Sequence, residues 1–322
     1  MGEVKGLDIK ILLAWQEFRN GAGSCLVPFM MKMSFIGEMS TVLIFIAIIY
    51  WCVSKEYGRY FLMGWTGCRV VNGLLKVTAC AYRPWIRDAR IIPHTEAMET
   101  ATGYSFPSGH STNAGALYGG GAIRRELPGI LRITLGLTAV LIAVSRNFLG
   151  VHTPQDIWIG LGAGVLVMWL TMKLLAWLEK HPEKDMLVMF LGIGFSAAVA
   201  AYAACKSYPV DYDEAGNILV DGAKMARDTY KGAGWCIGFM TGWILEKRYI
   251  GFSTDVPVVT RATRLVTGVM SYYAVSLIFT NLVKEWIPGP GGPLAACFIQ
   301  TFYITFVFPW LIKRCENACV PA

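Results

Sequence analysis

Apolar stretches of bilayer length recur along almost the whole sequence. They fall at about 33–52, 60–81, 108–123, 129–149, 154–178, 186–206, 232–250, 264–284 and 292–312. A helix rises 1.5 Å per residue, so about 20 residues cross the roughly 30 Å hydrocarbon core. One such stretch could be an anchor. Nine leave no room for a separate soluble domain. The expected fold is therefore all-α, a polytopic transmembrane helical bundle of about nine spans, read as one membrane domain over residues 1–322. Composition agrees: 55% of residues are hydrophobic and 16% charged, against roughly 45–50% and 25% in soluble domains. The third stretch is short and glycine-rich (GALYGGGAI), suited to close packing inside a bundle. Ahead of the spans, residues 6–20 alternate apolar and charged positions at helical spacing, which predicts an amphipathic helix at the membrane interface.

The net charge of +7 does not point to nucleic acid. Lys and Arg sit in short connections between apolar runs, as membrane-protein loops do. One side collects Lys55, Arg59, Arg124, Arg125, Arg132, Lys180, Lys184, Lys247, Arg248, Arg261, Arg264, Lys313 and Arg314, and the positive-inside rule makes it cytoplasmic, together with the C-terminus. The opposite side carries the segments 83–107, 146–153 and 207–231, with Lys5, Lys10, Arg19 and Lys32. The cysteines are scattered through apolar runs (Cys52, Cys68, Cys80, Cys205, Cys236, Cys297), without CxxC or zinc spacing, and read as small buried hydrophobes. The N-terminus lacks the basic-then-apolar order of a cleavable signal. The stretch DYDEAGN resembles a calcium loop only faintly. Ala215 and Gly222 stand where ligands are required, so a solvated turn is expected.

Three short patterns carry chemistry. Lys76 and Arg83 lie seven residues apart at the end of a span, with Pro84 following; on a helix they would share one side. Pro107-Ser108-Gly109-His110 opens the third span. Ser145-Arg146, His152 and Asp156 lie across a span–loop–span junction. All three reach one membrane face. Together they offer three fixed cations, two imidazoles, a carboxylate and a helix start. Guanidinium groups grip phosphate oxygens bidentately and Lys adds a point charge. Ser108 suits an N-cap, and the Ser108, Gly109 and His110 amides would then face an anion. Phosphoryl transfer needs a nucleophile and a proton donor roughly in line, and cations for the equatorial oxygens. Asp156, four residues after His152, is placed to orient its ring. No Asp/His/Glu cluster with metal spacing accompanies these residues, so no metal and no other cofactor is expected.

These patterns match K-x6-RP, PSGH and SR-x5-H-x3-D, the three signatures of the type 2 phosphatidic acid phosphatase / vanadium haloperoxidase superfamily. The resemblance covers about residues 60–175, the expected catalytic core, with 186–314 as a C-terminal transmembrane extension. It implies His152 as nucleophile, Asp156 as its supporting carboxylate and His110 as general acid. It implies Lys76, Arg83, Ser108, Gly109 and Arg146 as phosphate ligands. The extended layout resembles sphingosine-1-phosphate phosphatases and glucose-6-phosphatases. The expected activity is metal-independent hydrolysis of a lipid-linked phosphomonoester or pyrophosphate through a phosphohistidine. The expected partners are a lipid phosphate and the bilayer, with homodimerisation or substrate entry as roles for the last spans. The expected location is a bacterial plasma membrane, with the active site extracytoplasmic. Lipid phosphotransfer, sugar-phosphate hydrolysis, haloperoxidase chemistry and a transporter or scaffold with a vestigial site are the alternatives.

Plainer readings stand beside these. Thr153-Pro154-Gln155-Asp156 also reads as a helix cap with an acid at its third position. Ser145 reads as a packing residue. His94 and Glu96 belong to a solvated mouth loop or a headgroup-selecting lid. His181 reads as a solvated turn, and Glu38 and Glu285 as interfacial or functional acids.

Overall fold

In the computed structural model, residues 6–21, 23–287 and 289–318 are described, without the side chains of 39–41, 284, 285, 317 and 318. Lys5 and the side chain of Glu285 thus lie outside the described residues. The described residues form helices α1 (Leu7–Asn20), α2 (Val27–Phe35), α3 (Met39–Ile48), α4 (Lys55–Ala79), α5 (Pro84–Arg87), α6 (Thr95–Glu99), α7 (Gly109–Ala114), α8 (Gly120–Ala122) and α9 (Gly129–Phe148). They continue with α10 (Pro154–Lys180), α11 (Asp185–Cys205), α12 (Gly222–Tyr249), α13 (Val258–Trp286), α14 (Gly291–Phe302) and α15 (Phe308–Ala318). A π-turn, Gly115–Gly119, joins α7 to α8, and another, Tyr303–Val307, joins α14 to α15. No strand occurs among the described residues, where one isolated bridge pairs Tyr212 with Ile218. The chain is an all-α membrane protein.

Five stretches are long and apolar enough to cross a membrane: 129–148, 154–180, 182–205, 258–283 and 291–316. They coincide with five of the nine expected spans. The other four do not meet the same measure, for physical reasons. The 33–52 stretch is broken by a turn at Ile36–Glu38. The 108–123 stretch is short. In α4 and α12, Arg69, Lys76, Lys231, tryptophans and glycines dilute the apolar residues. Helix α12 also starts ten residues before the expected span. Its first turns (AKMARDTYK) form helix without being apolar, so hydropathy does not detect them.

The chain forms two compact units. The first comprises residues up to Val42, Val71–Trp169 and Ser207–Met225; the second comprises Leu43–Val70, Leu170–Lys206 and the chain from Ala226 on. In the first unit, helix α1 fastens the connection that follows α4. Ile9 and Leu12 bury their side chains against Ile91, with Trp85 alongside. Asp8 pairs with Arg87 at 2.8 Å. Gln16 donates to the Arg90 carbonyl at 3.0 Å and accepts from the Ile92 amide at 2.6 Å. The expected helix exists, and Ile9 and Leu12 of its apolar side pack on protein while Leu7 and Phe18 stay exposed.

Helix α7 packs on the start of α10 with almost no space between backbones. A Cβ on Gly160 would lie 2.7 Å from the Ser108 carbonyl oxygen, and one on Gly164 would lie 2.6 Å from that of Thr112. In the second unit, α12 and α14 approach as closely: a Cβ on Gly234 would meet the Leu294 carbonyl oxygen at 2.2 Å, and one on Gly238 that of Phe298 at 2.3 Å. Small residues where helices cross are the usual device for close packing in membranes.

Candidate active site

Every sequence-predicted site residue belongs to the first unit. Helix α4 stops at Ala79, and Cys80 takes a left-handed backbone (φ 46°), a conformation that L residues rarely adopt. Arg83 is then extended and caps α5. The expectation that Lys76 and Arg83 share a helix face is therefore corrected: the helix ends four residues before Arg83. The loop brings the two together another way. Arg83 Nε donates to the Gly103 carbonyl (2.9 Å) and Nη2 to that of Thr102 (3.3 Å), while Lys76 Nζ donates to the next carbonyl, Tyr104 (2.8 Å). The Ser105 amide in turn donates to Ala81 (2.7 Å). Three consecutive carbonyls thus hold both cations.

Helix α9 ends in a Schellman turn. Gly150 has φ 77°, its amide donates to Asn147 (3.0 Å), and the Val151 amide donates to Arg146 (3.1 Å). Glycine is needed here, because a side chain would strain the left-handed backbone. The turn delivers His152 directly beneath Arg83, with Asn147 Nδ2 donating to the His152 carbonyl (2.8 Å). Arg83 Nη1 donates to the Val151 carbonyl (2.8 Å) and lies 2.9 Å from His152 Nε2 and 3.4 Å from Nδ1.

Asp156 caps its helix, as one of its two readings expects, and lies beside the His152 ring. Its Oδ2 accepts from the Thr153 amide (2.8 Å), and its own amide lies 3.4 Å from Thr153 Oγ1, a capping box that starts α10. The same Oδ2 accepts from Ser105 Oγ (2.5 Å) and lies 3.4 Å from His152 Nδ1. His152 is 2% exposed, and burial, followed by the Arg83 charge, holds its pKa well below the ordinary imidazole value, although Asp156 pulls the other way. Burial lowers the Arg83 guanidinium to about 10, which leaves it charged at neutral pH.

Ser108 caps α7, its hydroxyl accepting from the Ser111 amide at 3.3 Å. Its own amide donates to the Asp156 carbonyl at 3.0 Å. That amide is therefore spent on docking α7 to α10, a correction to the expected trio of anion-facing amides. Gly109 and His110 follow as the first two residues of α7, His110 buried. Asn72 on α4 completes the junction by donating to Thr112 on α7 (2.9 Å).

Arg146, fully buried, reaches elsewhere. Its Nη1 donates to Ser34 Oγ, and its Nη2 to Thr100 Oγ1 (3.3 Å) and the Ala97 carbonyl (3.4 Å). No hydrogen bond joins it to His152, but its charge adds to that of Arg83 in disfavouring the imidazolium. Ser34 and Thr100 line a chamber of about 280 Å³ with Glu38, Glu96 and Glu99. Burial, its largest influence, raises the Glu38 carboxyl pKa. His94 caps α6, its amide bonded to the Leu149 carbonyl (2.9 Å). His181 stacks on Trp177, with ring centroids 4.8 Å apart, away from any cluster. Ser145 donates to the Ile142 carbonyl within its own helix (2.7 Å). In the DYDEAGN turn, Asp213 accepts from the Ala215 and Asn217 amides at 2.9 and 2.8 Å, so its carboxylate serves the turn. No group of three metal-ligating side chains occurs among the described residues.

Ser105, Ser34, Thr100 and Asn147 were missed. Asn147 sits inside the third motif, and its neighbours Arg146 and His152 were its only signal. Thr100 and Ser105 touch the site from turns and loops that carry no periodicity, and Ser34 from the last turn of α2.

A buried imidazole held between a guanidinium and a carboxylate, on the scaffold of three spaced motifs, fits one class. The chain belongs to the PAP2 superfamily: that superfamily's profile matches residues 57–180, and the profile of the PAP2 superfamily phosphatase transmembrane extension matches 230–319. Among curated proteins it is similar to phosphatidylglycerophosphatase B of Bacillus subtilis (strain 168), 34% identical over 110 residues, which is 32% of this chain and 50% of that protein. It is also similar to lipid phosphate phosphatase delta of Arabidopsis thaliana, 26% identical over 175 residues, 51% of this chain and 41% of that protein. The chain thus spans half or less of the length of these relatives. No solved structure matches it.

Proposed function

We propose that the chain is an integral membrane phosphatase that hydrolyses a lipid-linked phosphomonoester or pyrophosphate through a phosphohistidine at His152. The observation that carries this reading is the placement of His152 between Arg83 and Asp156, with the imidazole held neutral by burial and by the guanidinium. A neutral imidazole is the nucleophilic form. Both relatives bear names of lipid phosphate phosphatases, which favours a lipid substrate over a sugar phosphate.

Asp156 accepts a hydrogen bond from His152 Nδ1–H, which keeps its proton, and this leaves the Nε2 lone pair for phosphorus. Arg83 Nη1, beside Nε2, turns its N–H hydrogen bond from the ring to a phosphate oxygen as the substrate enters. Arg146 and Lys76 add charge for the equatorial oxygens, as does the α7 start at Gly109 and His110, with Ser108 holding that helix in place. As the bond from phosphorus to the leaving oxygen breaks, His110 gives that oxygen a proton. Neutral His110 then takes a proton from water, whose oxygen attacks phosphorus. The P–N bond breaks, phosphate leaves, and both imidazoles return to their first state. The fixed cations supply the neutralisation that phosphoryl transfer requires, so activity independent of divalent metal is expected. The basic-residue distribution supports an extracytoplasmic position for this face.

The test is inorganic phosphate release by the purified protein from a panel of lipid and sugar phosphates in EDTA. Turnover of lipid phosphomonoesters is expected to persist in EDTA and to fall at least about 10³-fold in His152→Ala, the scale of removing a catalytic nucleophile. Loss of wild-type activity in EDTA would reject metal independence. Full activity of His152→Ala would reject the mechanism.

A further inference from the structure

The last turn of any helix leaves its carbonyls without partners from the helix itself. At the end of α9, the Ser145, Arg146 and Asn147 carbonyls accept from the Leu149, Val151 and Gly150 amides at 2.9, 3.1 and 3.0 Å. The Leu149 carbonyl accepts from the His94 amide at 2.9 Å. The Phe148 carbonyl is met by a side chain of another helix: Arg19 of α1 donates to it through Nη1 at 3.0 Å. The same guanidinium sends Nη2 to the Ile92 carbonyl at 2.5 Å. Arg19 is 6% exposed.

This fork ties together two segments that meet at the proposed active site. One runs from Arg83 to Ile92, and the other is the turn from Phe148 to His152. The joint is tight. A Cβ on Gly150 would lie 3.2 Å from Arg19 Nη1 and 3.2 Å from the Pro93 Cα. Trp15, one turn before Arg19, packs edge-on against Phe148 with ring centroids 5.8 Å apart. The helix dipole also favours a cation at the end of α9. Arg83 makes a tie of its own, from Nη1 to the Val151 carbonyl, but that nitrogen also faces His152 Nε2. Both Arg19 bonds run to main-chain carbonyls, so they stay in place when Arg83 turns to a phosphate.

We propose that Arg19 is a positioning residue for the phosphatase reaction, setting the separation of Arg83 and His152 from a helix that precedes the PAP2 region. The inference rests on the reading of His152 as nucleophile. A planar guanidinium suits the task, because its two nitrogens have a fixed spacing and each takes one carbonyl. Without the fork, the His152 turn is freed from the Arg83 segment, and the Arg83 charge no longer stands fixed beside the imidazole. Four groups face that ring: Arg83 at 2.9 Å, Ser105 and Asp156 at 3.4 Å, and the more remote charge of Arg146. Of the two cations, Arg83 is the one on the segment that Arg19 ties.

The test compares variants of the purified full-length protein in lipid-phosphate turnover, in phosphoenzyme formation across pH and in thermal melts. Arg19→Met keeps an apolar stem and removes the fork. It is expected to lower kcat at least about tenfold, the scale of a small misplacement of reacting groups. It is also expected to move the acid limb of phosphoenzyme formation up toward about pH 6.5, as the Arg83 charge recedes from the ring. Arg19→Lys keeps the charge without the planar fork. It is expected to show both changes to a smaller degree, and it decides the matter if Arg19→Met does not fold. Asp8→Asn breaks the 2.8 Å ion pair of α1 with Arg87. It is expected to lower the melting midpoint while kcat and the acid limb stay as in wild type. Wild-type kcat and acid limb in the folded Arg19 variants would overturn the proposal. So would the same kcat loss and limb shift in Asp8→Asn, which would leave Arg19 as one anchor of α1 among several. Full activity of His152→Ala would instead defeat the catalytic reading beneath it.

Discussion

At the scale of single residues, the two jobs proposed for Asp156 fall to one oxygen. Oδ2 holds the Thr153 amide at the start of α10 and lies beside His152 Nδ1. The jobs separate by mutation. Thr153→Ala removes only the hydroxyl of the cap and is expected to cost about 1 kcal/mol of stability, the usual value of such a cap, with kcat near wild type. Asp156→Asn is expected to cost similar stability and to lower kcat at least about 10²-fold, because the ring loses its orienting carboxylate. Paired thermal melts and kinetics decide it; equal kcat losses in the two variants would reject the orienting role. His152 makes a second prediction. Its folded pKa lies below the unfolded value of about 6.5. Free imidazole is only about one-tenth neutral one unit below that value, whereas the lowered pKa keeps a larger share of His152 neutral at the same pH. The acid limb of phosphoenzyme formation is therefore expected well below pH 6.5. Stability moves the opposite way. Below about pH 6.5 the unfolded chain takes up a proton that the native His152 refuses, so as pH falls this group disfavours folding progressively until the folded pKa is reached, and it contributes nothing above about pH 6.5. Rapid-quench kinetics and thermal midpoints across pH 4.5–7.5 report both.

At the scale of elements, the junction of α7 with α10 sets the geometry. Gly160 faces the Ser108 backbone, and two residues on, Gly162 has nothing within 4 Å. Gly160→Ala is expected to destabilise by about 1–3 kcal/mol, as overpacking does, and to depress kcat by shifting the α7 start. Gly162→Ala on the same helix is expected to be neutral or to stabilise by up to about 1 kcal/mol. Equal effects in melts and turnover would show that the close approach is immaterial. This junction also marks the limit of what the sequence discloses. The long apolar periods of α9 and α10 announce themselves, and the residues of the three motifs are readable because their spacing fits a chemical task. The end of α4 is not readable. Pro84 pointed to a break near Arg83, but the chain turns at Cys80, a residue with no turn preference. Nor is the attachment of Lys76 and Arg83 to carbonyls 102–104, which arises from tertiary contact alone. Ser108 was recognised as a cap, while the use of its amide by Asp156 depends on a partner about fifty residues away.

At the scale of the whole molecule, the site requires the 83–107 and 146–153 segments to share a membrane face. Helix α9 provides the test, since its 20 residues extend about 30 Å and its two ends belong on opposite sides. With Cys25, Cys205, Cys315 and Cys319 replaced by serine, a cysteine at exposed Arg90 is expected to react with an impermeant thiol reagent from outside intact cells. A cysteine at exposed Arg125 is expected to react only after lysis. Labelling of both from one side would overturn the topology and, with it, the extracytoplasmic placement of the site.

The attachment of Lys76 and Arg83 to three successive peptide oxygens has one more consequence. Such a strip works like a ruler: its marks are fixed by the repeat of the backbone, so the gap between the two cations does not depend on the rest of the loop. Drift of the loop carries both charges along without changing their spread. A deletion or insertion inside the strip displaces one mark against the other, and no side-chain substitution in the neighbourhood restores the scale.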